Sequence, residues 1–305
     1  LSSADKIAYR SPPLRGRAVD KKSSGFINGF LGVLLFSGSL PATRAAVMDL
    51  DPLFLTVARA SIAGLVGACL LLYFKERKPQ KAQIRSLAFV ALGVVLGFPL
   101  LTALALQQIT SAHSIVFIGL LPLATALFAV LRGGERPHLG FWIFSVLGSA
   151  LVVCYSARNG FDVSLQGDFL MLAAITVCGF GYAEGAVLSR QLGGWQVICW
   201  ALVLSLPVML ALALWTQPVS FAQVGVVAWA CLAYVSLFSM LIGFIFWYRG
   251  LAQGGIARVG QLQLLQPFMG LILAALMLGE QVDAAMVAVS AGVILCVAAA
   301  KRFSH

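Results

Sequence analysis

Charge is scarce in this chain. Only 10% of its 305 residues are Asp, Glu, Lys or Arg, against roughly 25% in a soluble globular domain. Acidic residues number 11 and histidines 3, while 60% of the chain is hydrophobic. Too few polar side chains remain to cover a water-facing surface, so a lipid bilayer must solvate most of the molecule. Intrinsic disorder, a soluble enzyme and a nucleic-acid-binding module are thereby excluded. The net charge of +10 is instead read through its distribution across a membrane.

Catalytic and metal-binding patterns are missing too. Cys69, Cys154, Cys178, Cys199, Cys231 and Cys296 all lie in apolar runs without a Cys-x-x-Cys pair, where cysteine behaves as a small hydrophobe. There is no His-Glu-x-x-His, no Gly-x-Ser-x-Gly elbow, no pair of intramembrane aspartates and no Walker loop. Neither an enzyme, nor a metal or cofactor, nor direct drive by ATP is expected. Residues 1–24 carry Lys6, Arg10, Arg15, Arg17, Lys21 and Lys22. They have no apolar region followed by a small-residue cleavage site, which predicts a polar cytoplasmic tail rather than a cleaved signal peptide.

What is present is a succession of ten apolar runs, at 26–46, 52–74, 86–106, 110–131, 138–156, 168–189, 195–215, 224–248, 256–278 and 283–300. Continuous hydrophobicity without two-residue alternation predicts helices rather than an outer-membrane barrel. Cations gather in the tail, in Lys75–Arg85 after the second run, at Arg132 and Arg136 after the fourth, at Arg190 and Arg249, and at Lys301 and Arg302. The opposite loops offer Arg158. The positive-inside rule therefore puts both termini in the cytoplasm.

The chain also repeats itself. Gln108 precedes Pro122 by fourteen residues and Gln253 precedes Pro267 by fourteen; Glu135 and Glu280 follow thirteen residues after those prolines, each behind a glycine. One offset of 145 aligns all the landmarks. An odd shift of five spans makes the copies antiparallel in the membrane, the signature of a carrier with a midplane site between inverted halves. The expected fold is thus all-α and integral to the membrane, with ten transmembrane helices as two inverted five-helix repeats: a tail at 1–24, a first repeat at 25–158 and a second at 159–305.

The motifs Pro122…Gly134-Glu135 and Pro267…Gly279-Glu280, with Pro52 and Arg59 in the second run, resemble the repeated EamA pattern of the drug/metabolite transporter superfamily. Within it the chain is most similar to the YddG group of bacterial aromatic amino-acid exporters. It departs from many members at Phe180-Gly181, where they carry Trp-Ala. The resemblance covers roughly residues 26–300 and implies a bacterial inner-membrane carrier that exports aromatic or other neutral amino acids. The partners expected are such small solutes and the lipid bilayer, with no nucleic acid. A carrier of sugar phosphates, a channel and an integral membrane enzyme are the rival readings; the first would want several cations in its cavity, where only Arg44 and Arg59 lie well inside runs.

Candidate substrate contacts follow from polar and aromatic side chains inside the runs. Ser37 and Arg44 share a face of the first, beside the helix-disturbing Pro41; Arg44 either meets a carboxylate or snorkels outward. Arg59, deeper, either caps carbonyls or a carboxylate or contacts substrate. Glu184 either receives an ammonium or a coupling proton, or pairs with Arg258. Gln263 and Gln266 share a face beside Pro267 and are able to bond both ends of a zwitterion, or otherwise to link helices. Ser114 is matched to the ninth run by the same offset, and Ser239 and Trp247 lie on one stripe of the eighth. Phe98, near the midplane, and Tyr182 are candidates for stacking on an aromatic ring; Trp247 is read as near the cytoplasmic interface, where tryptophan anchors are common. His113, alone near the outer surface, is not expected to hold a metal or proton. Gly93-x-x-x-Gly97 and Gly181-x-x-x-Gly185 predict close helix approach.

Overall fold

A computed structural model describes residues 15–109, 114, 117–158, 164–266, 268–270, 272, 273 and 284–303. Among them all regular structure is helical. Helix α1 (Arg15–Ser37) passes Gly38 into α2 (Ser39–Ala46). Then follow α3 (Pro52–Tyr73), α4 (Lys81–Val90), α5 (Phe98–Gln108), α6 (Leu121–Gly133) and α7 (Leu139–Arg158). The remainder is α8 (Leu165–Leu192), α9 (Gly194–Trp215), α10 (Val226–Ala233), α11 (Phe244–Gly254), α12 (Ile256–Gly260) and α13 (Ala284–Arg302).

Six helical runs are long and apolar enough to cross a membrane: Ser23–Ala46, Pro52–Tyr73, Lys81–Gln108, Leu165–Leu192, Gly194–Trp215 and Val226–Gly254. Shorter apolar helices occupy Leu121–Gly133, Leu139–Leu151 and Ala291–Ala300. The molecule is a multi-pass membrane protein. Its outer surface suits lipid, with Leu72, Leu147, Val208, Leu214, Ile294 and Leu295 all exposed. Helix pairs α3 with α9, α1 with α11, α13 with α7, and α8 with both α5 and α6 pack most extensively.

The helix ends follow local chemistry. Asp51 caps α3, its Oδ1 accepting from the Leu53 and Phe54 N–H groups at 2.8 and 3.1 Å, ahead of Pro52. Ser164 caps α8 by accepting from the Gly167 N–H at 3.2 Å. The expected fourth span is not one continuous helix through Pro122. That proline instead opens α6, where its missing N–H costs no intrahelical bond. The ninth changes character as well, from α12 into a 3₁₀ turn at Gln261–Leu265. Pro267, Glu280 and His113 lie outside the described residues.

Two π-helical stretches interrupt the third and eighth expected spans, Ala91–Gly97 between α4 and α5 and Tyr234–Gly243 between α10 and α11. Moving the first forward by 145 positions lands it on 236–242, inside the second. The helix irregularity therefore recurs at the offset of the sequence motifs. Gly93 meets Gly181, a Cβ on Gly93 falling 3.1 Å from the Gly181 Cα, so the two small-residue motifs pack against each other. In the same way Gly29 and Gly250 bring α1 and α11 to backbone contact: a Cβ on Gly250 would lie 2.6 Å from the Gly29 nitrogen.

Candidate functional site

Close approach of α1 and α11 places aromatic rings from both helices beside α8. Phe244, Trp247 and Tyr248 occupy positions i, i+3 and i+4 of α11 and so share one face. Phe36 of α1 lies 5.0 Å from the Phe244 ring and 6.1 Å from Trp247, centroid to centroid. Tyr182 of α8 completes the cluster, 5.4 Å from Trp247 and 5.8 Å from Phe244. The arrangements are tilted or edge-on, as ring quadrupoles prefer. Trp247 and Tyr248 are wholly buried. Tyr248 Oη donates to the Gly181 carbonyl at 3.2 Å, whereas the Trp247 indole N–H has no acceptor among the described residues.

Two glutamines lie beside this cluster, Gln263 near Tyr182 and Gln266 against the Phe36 carbonyl, and Gln261 shares the 3₁₀ turn with Gln263. Gln261 and Gln263 are fully buried and Gln266 is 7% exposed. Among the described residues neither amide atom of Gln261 or Gln263 finds a hydrogen-bond partner, nor does Oε1 of Gln266. Gln266 Nε2 donates to the Phe36 carbonyl at 3.5 Å, at the limit for a bond. The Tyr182 hydroxyl comes into interaction range of Gln263 and the Cys178 thiol, without completing a bond to either amide atom of Gln263. Thr125 Oγ of α6, also buried and without a partner among the described residues, lies on a side chain that borders Gly260. A buried polar group left unpaired costs roughly 1–3 kcal/mol. A cluster of them beside aromatic faces is chemistry for a ligand with both donors and acceptors.

The charged side chains inside the bundle are engaged elsewhere. Glu184 pairs with Arg132, Nε donating to Oε2 at 2.8 Å and Nη2 to Oε1 at 3.0 Å. This corrects the expected pairing with Arg258, whose guanidinium lies 5.4 Å over the Phe26 ring. Arg44 Nη1 donates to the Leu106 carbonyl near the end of α5. Arg59 Nη2 donates to the Val235 carbonyl at 3.2 Å, inside the second π stretch. There the π turn disturbs the regular hydrogen-bond ladder, and a cation from α3 supplies a donor.

The structure thus gathers Ser37, Tyr182, Trp247, Gln263 and Gln266 around one locus. Ser37 Oγ donates to Val33 O at 2.7 Å. Trp247, expected as an anchor at the interface, is wholly buried between Phe36 and Tyr182. Ser239 Oγ bonds to Ser39 Oγ at 3.1 Å, tying the π stretch to α2. Phe98 is half-buried where the first π stretch gives way to α5, and Ser114 is fully buried. Phe36, Phe244, Tyr248 and Gln261 were not singled out from the sequence. The first three carried a signal: one is adjacent to Ser37, and the others lie on the Trp247 face.

A second polar group forms at the end of α6. Gly134, with φ 65°, terminates that helix. The turn brings Glu135 against α12: its Oε1 accepts from the Ile256 N–H at 2.7 Å and its Oε2 from the Ala257 N–H at 2.8 Å. Arg190 Nη2 approaches the same carboxylate at 3.3 Å.

Comparison with known proteins adds the following. The EamA-like transporter family matches the chain twice, over residues 23–156 and 165–300. A Bacillus subtilis (strain 168) protein named "Uncharacterized transporter YdeK" is 66% identical over 286 residues, 94% of this chain and 100% of that protein. A "Probable terminal-alkyne amino-acid exporter" of Streptantibioticus cattleyicolor is 24% identical over 259 residues, covering 82% of this chain and 84% of its own. A solved crystal structure shares the fold with a TM-score of 0.76 at 20% identity, covering 92% of this chain and 98% of that one.

Proposed function

The chain belongs to the EamA-like transporter family, and on that premise we propose that it is a secondary carrier of the bacterial inner membrane, exporting aromatic and other neutral amino acids. It works by alternating access between two inverted five-helix halves, with both termini in the cytoplasm. The observation that carries the substrate class is the buried pair Gln263 and Gln266 beside Phe36 and Tyr182, whose rings pack on Phe244 and Trp247. Amides offer donors to a carboxylate and acceptors to an ammonium without burying a second net charge. The rings offer an edge or face to an aromatic side chain.

Two family matches, the π stretches separated by the motif offset and the cation bias of the loops support the inverted arrangement. A relative named as an amino-acid exporter and the likeness to the YddG group point the same way on substrate. A sugar-phosphate carrier is less well supported, since Arg44 and Arg59 already serve backbone carbonyls.

The test is flux of radiolabelled phenylalanine, tryptophan, threonine and a sugar phosphate into proteoliposomes holding this protein alone. Saturable phenylalanine or tryptophan flux is expected without an imposed ion gradient. Movement of the sugar phosphate with no amino-acid flux would reject the substrate class and keep the carrier. A conductance that does not saturate would reject alternating access itself.

A further inference from the structure

The helix that leads into the glutamines is held from outside their site. α12 begins after Gly255, whose φ of 94° suits glycine. Its first N–H groups, on Ile256 and Ala257, both donate to Glu135. A carboxylate is favourable at this positive end of a helix, and the bonds are charge-assisted. Arg190 closes on the same carboxylate.

The partners come from different parts of the chain. Glu135 and Arg132 lie in the first family match, 23–156; Ile256, Ala257, Arg190 and Glu184 lie in the second, 165–300. The cap is therefore also a tie between the two stretches, and the Arg132–Glu184 pair reinforces it at the same end of α6. From Ala257 the backbone continues through α12 into the 3₁₀ turn without a loop. Where the cap fixes the start of α12, it fixes the placement of Gln261 and Gln263.

We propose that Glu135 is a positioning residue for the glutamine site and, at once, the releasable tie that shuts this end of the molecule. While its carboxylate caps α12, the two stretches stay together. Transport passes through states in which the cap is broken. The inference rests on the carrier reading, and not on which solute is carried.

The test uses the full chain in proteoliposomes, comparing wild type with Glu135→Asp and Glu135→Ala by hydrogen-exchange mass spectrometry and by phenylalanine flux. Loss of two charge-assisted bonds is expected to speed exchange at Ile256 and Ala257 by about tenfold or more in Glu135→Ala. KM should rise with it, and Glu135→Asp should fall between. A second variant keeps the cap: in Gly133→Cys/Ile256→Cys the side chain added at 133 points at the space the Ile256 side chain fills, a Cβ on Gly133 lying 2.9 Å from Ile256 Cδ1. Oxidising that pair is expected to stop flux, and dithiothreitol to restore it. Unchanged exchange at both amides in Glu135→Ala overturns the cap. An oxidised pair that transports as fast as the reduced one overturns the tie. Exchange is read with no solute present, so failure of the amino-acid reading leaves that arm standing, and the solute that does move then replaces phenylalanine in the flux arm.

Discussion

Glu184 and Gln263 are both buried polar side chains, yet they respond oppositely to substitution. Glu184 has both oxygens bonded to Arg132, so removing the arginine leaves a carboxylate in a site only 3% exposed. Arg132→Ala is expected to cost about 1–3 kcal/mol of stability, seen as a lower unfolding midpoint in detergent. Adding Glu184→Gln to it should recover most of the loss. A double variant no more stable than the single one would show that Arg132 does not compensate Glu184. Gln263 makes no bond among the described residues. Replacing it by leucine removes an unpaired amide at similar volume, so Gln263→Leu should leave the midpoint unchanged or raise it. In flux, the same change should raise KM about tenfold, the worth of one hydrogen bond to a charged group. Unchanged KM would remove Gln263 from the site.

At the scale of elements, the points of interest are the interruptions. The ten apolar runs and the offset of 145 were legible because hydrophobicity and motif spacing survive whatever the helices do locally. The π stretches were not, since a π turn widens the hydrogen-bond ladder without altering composition. Pro122 read as the middle of a span; it proved to be a helix start, a distinction set by backbone geometry around it. Trp247 shows a different limit. Its distance from Arg249 gives a depth along α11, but its enclosure depends on α1 arriving at the Gly29–Gly250 contact and on Tyr182 of α8. The ion pair was misread for the same reason, because choosing Arg132 over Arg258 needs the packing of α6 on α8. The first π stretch offers a test of how tightly these interruptions are held. A methyl on Gly93 would lie 2.7 Å from the Val177 carbonyl oxygen and 3.1 Å from Gly181 Cα. Backbone cannot yield as a side-chain tip does, so Gly93→Ala is expected to destabilise by about 1–3 kcal/mol. An undiminished unfolding midpoint would mean that α8 slides freely past this stretch.

For the whole molecule, the ties between the two family-matched stretches occur at both ends. At one, Glu135 caps α12. At the other, Asp49 Oδ2 accepts from the Gly225 N–H, the residue preceding α10, at 3.0 Å; beside it Ser164, just ahead of the second stretch, donates its Oγ proton to Gln108 Oε1 at 3.1 Å. Each end thus has a loop carboxylate from the stretch 23–156 bonded to backbone N–H at a helix start in 165–300. If the stretches rock about a central site, releasing one carboxylate biases the molecule toward opening at that end, at the expense of opening at the other. Asp49→Ala is therefore expected to raise hydrogen exchange across 225–229 and to lower it across 256–260, and Glu135→Ala to do the reverse. The sign of the change at the distant end is the informative quantity. Local loosening alone predicts a rise at the mutated end with no response at the other, and general destabilisation predicts a rise at both. Only a fall at the end that was not touched requires the two ties to be coupled through one rigid rearrangement, as alternating access demands.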